Sequence, residues 1–197
     1  MVTTQYETRS CAKSGPPSDT LGDETLVARA RDGDTRAFET LVRQYQGPIY
    51  RLAVRMLNDA GEAEDVTQEV FVTAWRRLPG IQEARAVRAW LYRIATNRCL
   101  NILRARKPTA PLREETMPAA SPATSPEARA EAHERLAALR AALGQLTAEQ
   151  RACWLLREVE ELSYAEIAGI LRTTPQAVRG RLARARADLG KAMISWQ

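Results

Sequence analysis

Histidine and cysteine are scarce in this chain, and their scarcity narrows what it does. Its 197 residues hold one histidine, His133, and three cysteines, Cys11, Cys99 and Cys153. The cysteines are far apart, odd in number and never spaced as C-x-x-C, which argues against a disulfide framework and against a zinc site. Cys99 and Cys153 read as small helix-packing residues, and Cys11 as a thiol in a tail. No Gly-rich phosphate loop is present. With no histidine-based proton relay, nucleophile cluster or cofactor signature, the chain reads as a non-enzyme with no catalytic residues, metal or cofactor. No apolar run of about eighteen residues occurs, so no membrane span is expected. The N-terminal segment MVTTQYETRSCAKSGPPSDT lacks the apolar centre of a secretory signal. Rich in Ser, Thr and Pro, it reads as a disordered tail over residues 1–22.

What the chain does have is segregated charge. The net charge is +5 and the pI about 9.4, which suits a polyanionic partner. From Asn58 to Glu69 there are five acids (Asp59, Glu62, Glu64, Asp65, Glu69) and no base. From Ala84 to Lys107 there are seven bases (Arg85, Arg88, Arg93, Arg98, Arg104, Arg106, Lys107) and no acid, with Trp90 and Tyr92 among them. A basic strip interleaved with aromatics suits unpaired bases. The acidic segment is poorly suited to DNA and is expected to face a protein.

Apolar periodicity is helical throughout, with no convincing strand. A first helix is expected from near Asp23 to Gly33. A second carries Phe38, Leu41, Val42, Tyr45, Ile49, Leu52, Ala53 and Met56 at 3/4 spacing, with a kink or break expected at Gly47-Pro48. A third follows Asn58 on Ala63, Val66, Val70, Ala74 and Leu78, and stops at Pro79-Gly80. A fourth spans about Ala86 to Arg106 and is expected to bury Leu91, Ile94, Ala95 and Ile102. Residues 108–126 hold five prolines among Ala, Ser and Thr, which marks a flexible linker.

Beyond it, a helix with Leu136, Leu139 and Leu143 ends near Gly144. Two capping boxes open the next two helices, Thr147-Ala-Glu-Gln150 and Ser163-Tyr-Ala-Glu166. The last helix opens on Thr174 as N-cap and Pro175 at its first position. The connection before it, about Leu171 to Thr173, has the length of a helix-turn-helix turn. From Leu171 to Ala187 there are five arginines (Arg172, Arg179, Arg181, Arg184, Arg186) and no acid, while Val178, Leu182, Ala185 and Leu189 form the buried stripe. Such a helix suits the major groove, with Gln176 near its start where base edges are read. The bland reading is a solvated basic face on a helical hairpin; the caps, the short turn and the Pro-opened helix together favour the groove.

These motifs resemble the extracytoplasmic-function (ECF) group of bacterial sigma factors. Asp65-Val-Thr-Gln-Glu-Val-Phe71 resembles the group's core-polymerase-binding helix, and Arg88-Ala-Trp-Leu-Tyr-Arg-Ile-Ala-Thr-Asn97 its promoter-melting helix. Leu162-Ser-Tyr-Ala-Glu-Ile-Ala168 and Val178-Arg-Gly-Arg-Leu-Ala-Arg-Ala-Arg186 resemble its minus-thirty-five helix-turn-helix. The resemblance implies an all-α protein with sigma region 2 at 23–107, a linker at 108–127 and sigma region 4 at 128–197. It implies core RNA polymerase and promoter DNA as partners, an anti-sigma factor as regulator and a cytoplasmic location. Asp65, Gln68 and Glu69 are the implied polymerase contacts; Phe71 is divided between that interface and core packing. For minus-ten DNA the implied residues are Ala86, Val87, Arg88, Tyr92, Arg93, Ile94 and Asn97, with Asn97 the preferred base reader. Trp90 also matches a family tryptophan, though a tryptophan at helical spacing is more often core. For the minus-thirty-five duplex they are Arg172, Thr174, Gln176, Ala177, Arg179, Arg181 and Arg184.

The chain departs from the group's pattern at three places. Arg172 stands where a turn glycine is frequent, so a left-handed backbone there would cost roughly 1 kcal/mol. The Gly80–Val87 loop lacks the Phe and Ser many members carry, so base preference does not transfer. Gly180 replaces a commoner Ser, with lower helix propensity. A stand-alone helix-turn-helix regulator would explain residues 128–190 but leave Asp65–Phe71 without a purpose. An adaptor that binds no DNA would leave the arginine helix unexplained.

Overall fold

A computed structural model describes residues 21–81, 86–106 and 139–194. The expectations for the tail, the linker, Arg85, Lys107 and Leu136 fall outside the described residues. Among those described, the protein is all helix, as expected.

Helix α1 (Asp23–Arg31) buries Leu26, Val27 and Ala30 and ends at Gly33, whose φ of 91° suits a residue without Cβ. Asp34 then caps α2 (Thr35–Leu57), accepting from the amides of Arg36 and Ala37. Arg29 donates to the same carboxylate from 2.6 Å and holds it below the usual carboxylate range. Of the kink or break expected at Gly47-Pro48, the break is absent: α2 runs through Pro48 as one helix. A proline inside a helix costs about 3 kcal/mol. Burying one Leu, Ile or Met returns about 1.5–3 kcal/mol. Ile49, Leu52 and Met56, which follow Pro48 in the same helix, are at most 1% exposed and outweigh the cost.

Asn58 ends α2 in the left-handed region, and Asp59 caps α3 (Ala60–Arg77) by accepting from the Glu62 amide at 2.8 Å. Ala63, Val66, Val70 and Ala74 form the buried stripe of α3. A single 3-10 turn, Leu78–Gly80, ends it at the expected Pro-Gly. Helix α4 (Val87–Ala105) packs on α2 and α3. Tyr45 and Gln44 tie α2 to α1 through Asp23, and Arg106 ties α4 to the Leu57 carbonyl at 2.9 Å and to Glu62.

In the second group, a helical segment α5 (139–145) precedes α6 (Ala148–Trp154), α7 (Tyr164–Leu171) and α8 (Pro175–Ile194). Both capping boxes are present, Thr147 with Gln150 and Ser163 with Glu166. Two hydrogen bonds from Ser163 hold the Glu166 carboxyl below its ordinary range. After α6 the chain widens into a π turn, Leu155–Val159, which the sequence pattern did not suggest. Arg172 adopts φ 50° and ψ 52°, so the turn keeps its left-handed residue without a glycine. Thr174 caps α8 by accepting from the Ala177 amide at 3.1 Å. Leu156, Leu162, Ile167, Ile170, Val178 and Leu182 are buried here, in one apolar cluster with the buried residues of the first group.

The two groups also pack on each other, with α7 and α6 lying against α4. The buried surface of α4 is therefore wider than its apolar pattern. Leu91 and Ala95 are buried and Ile94 and Ile102 partly so, as expected, but Tyr92, Thr96 and Cys99 are buried as well. A helix covered from two sides needs a second inward stripe; Cys99 was expected to pack, but Tyr92 and Thr96 did not read as apolar.

Candidate functional site

Helical spacing puts Asp65, Gln68, Glu69 and Val72 on one outward face of α3, and all four are exposed. Glu69 is paired with Arg98 of α4 at 2.7 Å. Phe71 is half-buried and packs against the core, which favours its packing role. Beside this face, Trp75 is 43% exposed, and its ring lies 4.9 Å from that of Phe38.

On α4 the candidate residues split between two faces. Ala86, Ala89, Trp90 and Arg93 border an open cleft of about 870 Å³, closed on its other sides by Arg76, Arg77 and α7 residues including Glu166 and Ile170. Asn97, half-buried, lies one turn beyond Arg93. Val87 is 1% exposed and Ile94 packs on the core, so both position the helix rather than face the cleft. Trp90 packs partly against the core and partly lines the cleft wall.

Arg88 and Tyr92 point elsewhere. Tyr92 is 1% exposed and donates its hydroxyl to Glu160 Oε2 in the turn after α6. Burial, and then that bond, raise its pKa. Arg88 donates to the Glu160 carbonyl and lies over the Tyr92 ring, 5.8 Å from its centre. The open aromatic face expected of Tyr92 is therefore covered in this arrangement. Tyr92, Arg93 and Asn97 do not share one narrow face of α4, and Tyr92 is the one turned away.

The acid-free appearance of the α4 segment is also corrected by packing. Arg98 pairs with Glu69, Arg106 with Glu62, and Arg104 lies 3.6 Å from Glu149. Acids distant in sequence thus neutralise much of the basic block. Arg93 is exposed and has no ion pair among the described residues.

On α8, Gln176, Arg179 and Arg184 are exposed, as are Arg172 and the Thr174 cap before it. Ala177 is half-buried, and so is Arg181, whose side chain reaches Cys153. Tyr164, at the first position of α7, carries guanidinium groups of Arg157 and Arg179 at 5.1 and 5.5 Å from its ring centre. Arg186 is bound to Glu158 at 2.6 Å, which takes it out of the free basic face.

Sequence reasoning missed two residues of this surface. Glu160 sits in a run with Glu158 and Glu161 that looks like solvated charge, yet it is 8% exposed. Tyr164 directly follows the Ser163 cap, and its position opposite Arg179 depends on the turn that brings α8 back.

Comparison with known proteins places the chain in a family. Residues 41–109 match the family model of sigma-70 region 2, and residues 136–189 that of sigma-70 region 4. The chain is 38% identical to the RNA polymerase sigma-H factor of Pseudomonas aeruginosa, over 87% of this chain and 93% of that protein. It is 34% identical to the ECF RNA polymerase sigma-E factor of Escherichia coli, over 86% and 93%. Among solved structures, CnrH in complex with the cytosolic domain of CnrY is 30% identical, with a TM-score of 0.68 over 88% of this chain and 97% of that one. The Bartonella quintana sigma factor RpoE, solved with the anti-sigma factor NepR, shares the fold at 20% identity and a TM-score of 0.65, over 79% and 96%. The chain belongs to the ECF sigma factors, the subunits that give RNA polymerase its promoter recognition.

Proposed function

We propose a division of labour among three surfaces. The α3 face with Asp65, Gln68 and Glu69 docks on core polymerase. The cleft side of α4, with Arg93, Trp90 and Asn97, takes unpaired minus-ten DNA, and Asn97 reads a flipped base with its paired donor and acceptor. Arg88 and Tyr92 join that surface when the second domain leaves it. The outward side of α8 reads the minus-thirty-five duplex, with Gln176 near base edges and Arg179 and Arg184 on phosphates. The carrying observation is this last face: an N-capped helix after a tight turn, with exposed Gln176, Arg179 and Arg184 on one accessible side.

Polymerase supplies the nucleotidyl-transfer chemistry, and the chain works beside it in the cytoplasm as a non-enzymatic subunit. Among the described residues no helix is long and apolar enough to cross a membrane. The anti-sigma partner of the Bartonella relative extends to this chain as a regulator. A pull-down from unstressed cells should recover it, and recovery of polymerase alone under every condition would argue against it. A gel shift on promoter DNA, with and without core polymerase, tests the main reading. A shift that needs core supports it; tight binding by the chain alone supports the stand-alone regulator.

A further inference from the structure

Glu160 is one of three buried polar side chains among the described residues, with Thr40 and Thr96, and the one that carries charge. Both of its polar ends face α4, the carboxylate toward the Tyr92 hydroxyl and the carbonyl toward the Arg88 guanidinium. Arg55 of α2 lies in its field, in company with Arg51 and Arg140. A second tie holds the same two domains together: Arg151 of α6 donates to the Met56 carbonyl at the end of α2, at 2.6 Å. That carbonyl lies at the negative end of the α2 dipole, where a cation is favoured.

The buried ties across this interface are polar, a carboxylate accepting from Tyr92 and two main-chain carbonyls accepting from Arg88 and Arg151, and such hydrogen bonds are replaced by water when the groups separate. A buried carboxylate and its partners gain roughly what their desolvation costs, and they lose little when all of them return to water together. Interfaces between domains of one chain are commonly of this reversible kind.

We infer that Glu160 is a clasp: in the free chain it occupies the Arg88–Tyr92 face of α4, and it competes there with the phosphates and bases of single-stranded DNA. The partner of this face is thus the chain's own second domain. A carboxylate sits beside an arginine and a tyrosine hydroxyl, two groups that also bind phosphate oxygens. Opening the clasp exposes the Tyr92 ring and releases Arg88 in one step, while α8 moves off with its own domain. The inference rests on the proposed role of α4 in DNA binding.

The test uses the full chain without polymerase, as wild type, Glu160→Gln and Glu160→Ala. Small-angle scattering reads the separation of the domains, and fluorescence anisotropy reads binding to a labelled single-stranded DNA of random sequence. Circular dichroism and transcription with added core polymerase report that each variant folds. The expectation is a larger radius of gyration and oligonucleotide binding tightened about tenfold, the size of a shift in a closed-to-open equilibrium. An unchanged radius in both folded variants overturns the clasp, whatever the binding. A larger radius with unchanged binding overturns the competition and the α4 reading beneath it, and leaves only the domain contact.

Discussion

Glu69 Oε2 of α3 lies 2.7 Å from Arg98 Nε of α4, so the acidic and basic blocks of the sequence meet across a helix pair. Both side chains are about half exposed, at 48% and 46%. An ion pair of this exposure contributes about 0.2–1 kcal/mol. Glu69→Lys should therefore shift the melting temperature by less than about 5 °C, while lowering core-polymerase affinity at least about tenfold. The charge swap Glu69→Lys with Arg98→Glu separates the two roles in a pull-down. Recovery of polymerase binding by the swap would assign the loss to the broken pair instead of a lost contact.

The α8 face predicts two different signatures on DNA. Arg184→Ala should weaken holoenzyme binding to all promoter sequences and reduce the salt slope by about one. Gln176→Ala should change preference at one minus-thirty-five position and leave the slope alone. Identical behaviour of both variants and wild type on a panel of mutant promoters would remove α8 from recognition.

Asn97→Ala should reduce strand opening, read by permanganate reactivity, and relax preference at one minus-ten position. Closed-complex formation through α8 should persist. Wild-type opening on every promoter variant would give the flipped base to another residue.

Gly180 sits inside α8, and a Cβ there would meet only Arg184 Nη2, at 4.0 Å. Gly180→Ala should therefore stabilise the chain by about 0.8–1 kcal/mol, the propensity difference in a helix interior. A melting temperature that falls would mean the backbone there needs freedom which the helix does not display.

Cys99 is fully buried, and burial pushes its thiol up to about 12. A raised folded pKa means the folded state holds its proton where the unfolded chain has lost it. The stabilisation is thus complete below the ordinary thiol range near 8.5 and declines as pH rises toward 12. Urea melts between pH 7 and 10.5 should show falling stability, and Cys99→Ala should flatten the decline after allowance for its lost packing. Thiol reagents at pH 8 should leave Cys99 and Cys153 unmodified until the chain unfolds, since both are buried.

Much of this protein was legible in local sequence, because local physics governs those features. A capping box spans four residues, and both boxes form where Thr147 and Ser163 predict them. The 3/4 spacing of apolar residues set the inward faces of α2, α3 and α8. The length of the connection predicted a helix-turn-helix turn, but its left-handed residue was not legible, since Arg172 carries a steric cost there that a glycine would not. What tertiary structure decided is pairing between segments distant in the chain. Tyr92 and Glu160 are 68 residues apart, and Arg151 and Met56 are 95 apart. No periodicity within either segment encodes those meetings. Charge was misread for the same reason. Coulomb attraction depends on distance in space, so Arg98, Arg104 and Arg106 look unpaired in the sequence and find Glu69, Glu149 and Glu62 only when the helices pack.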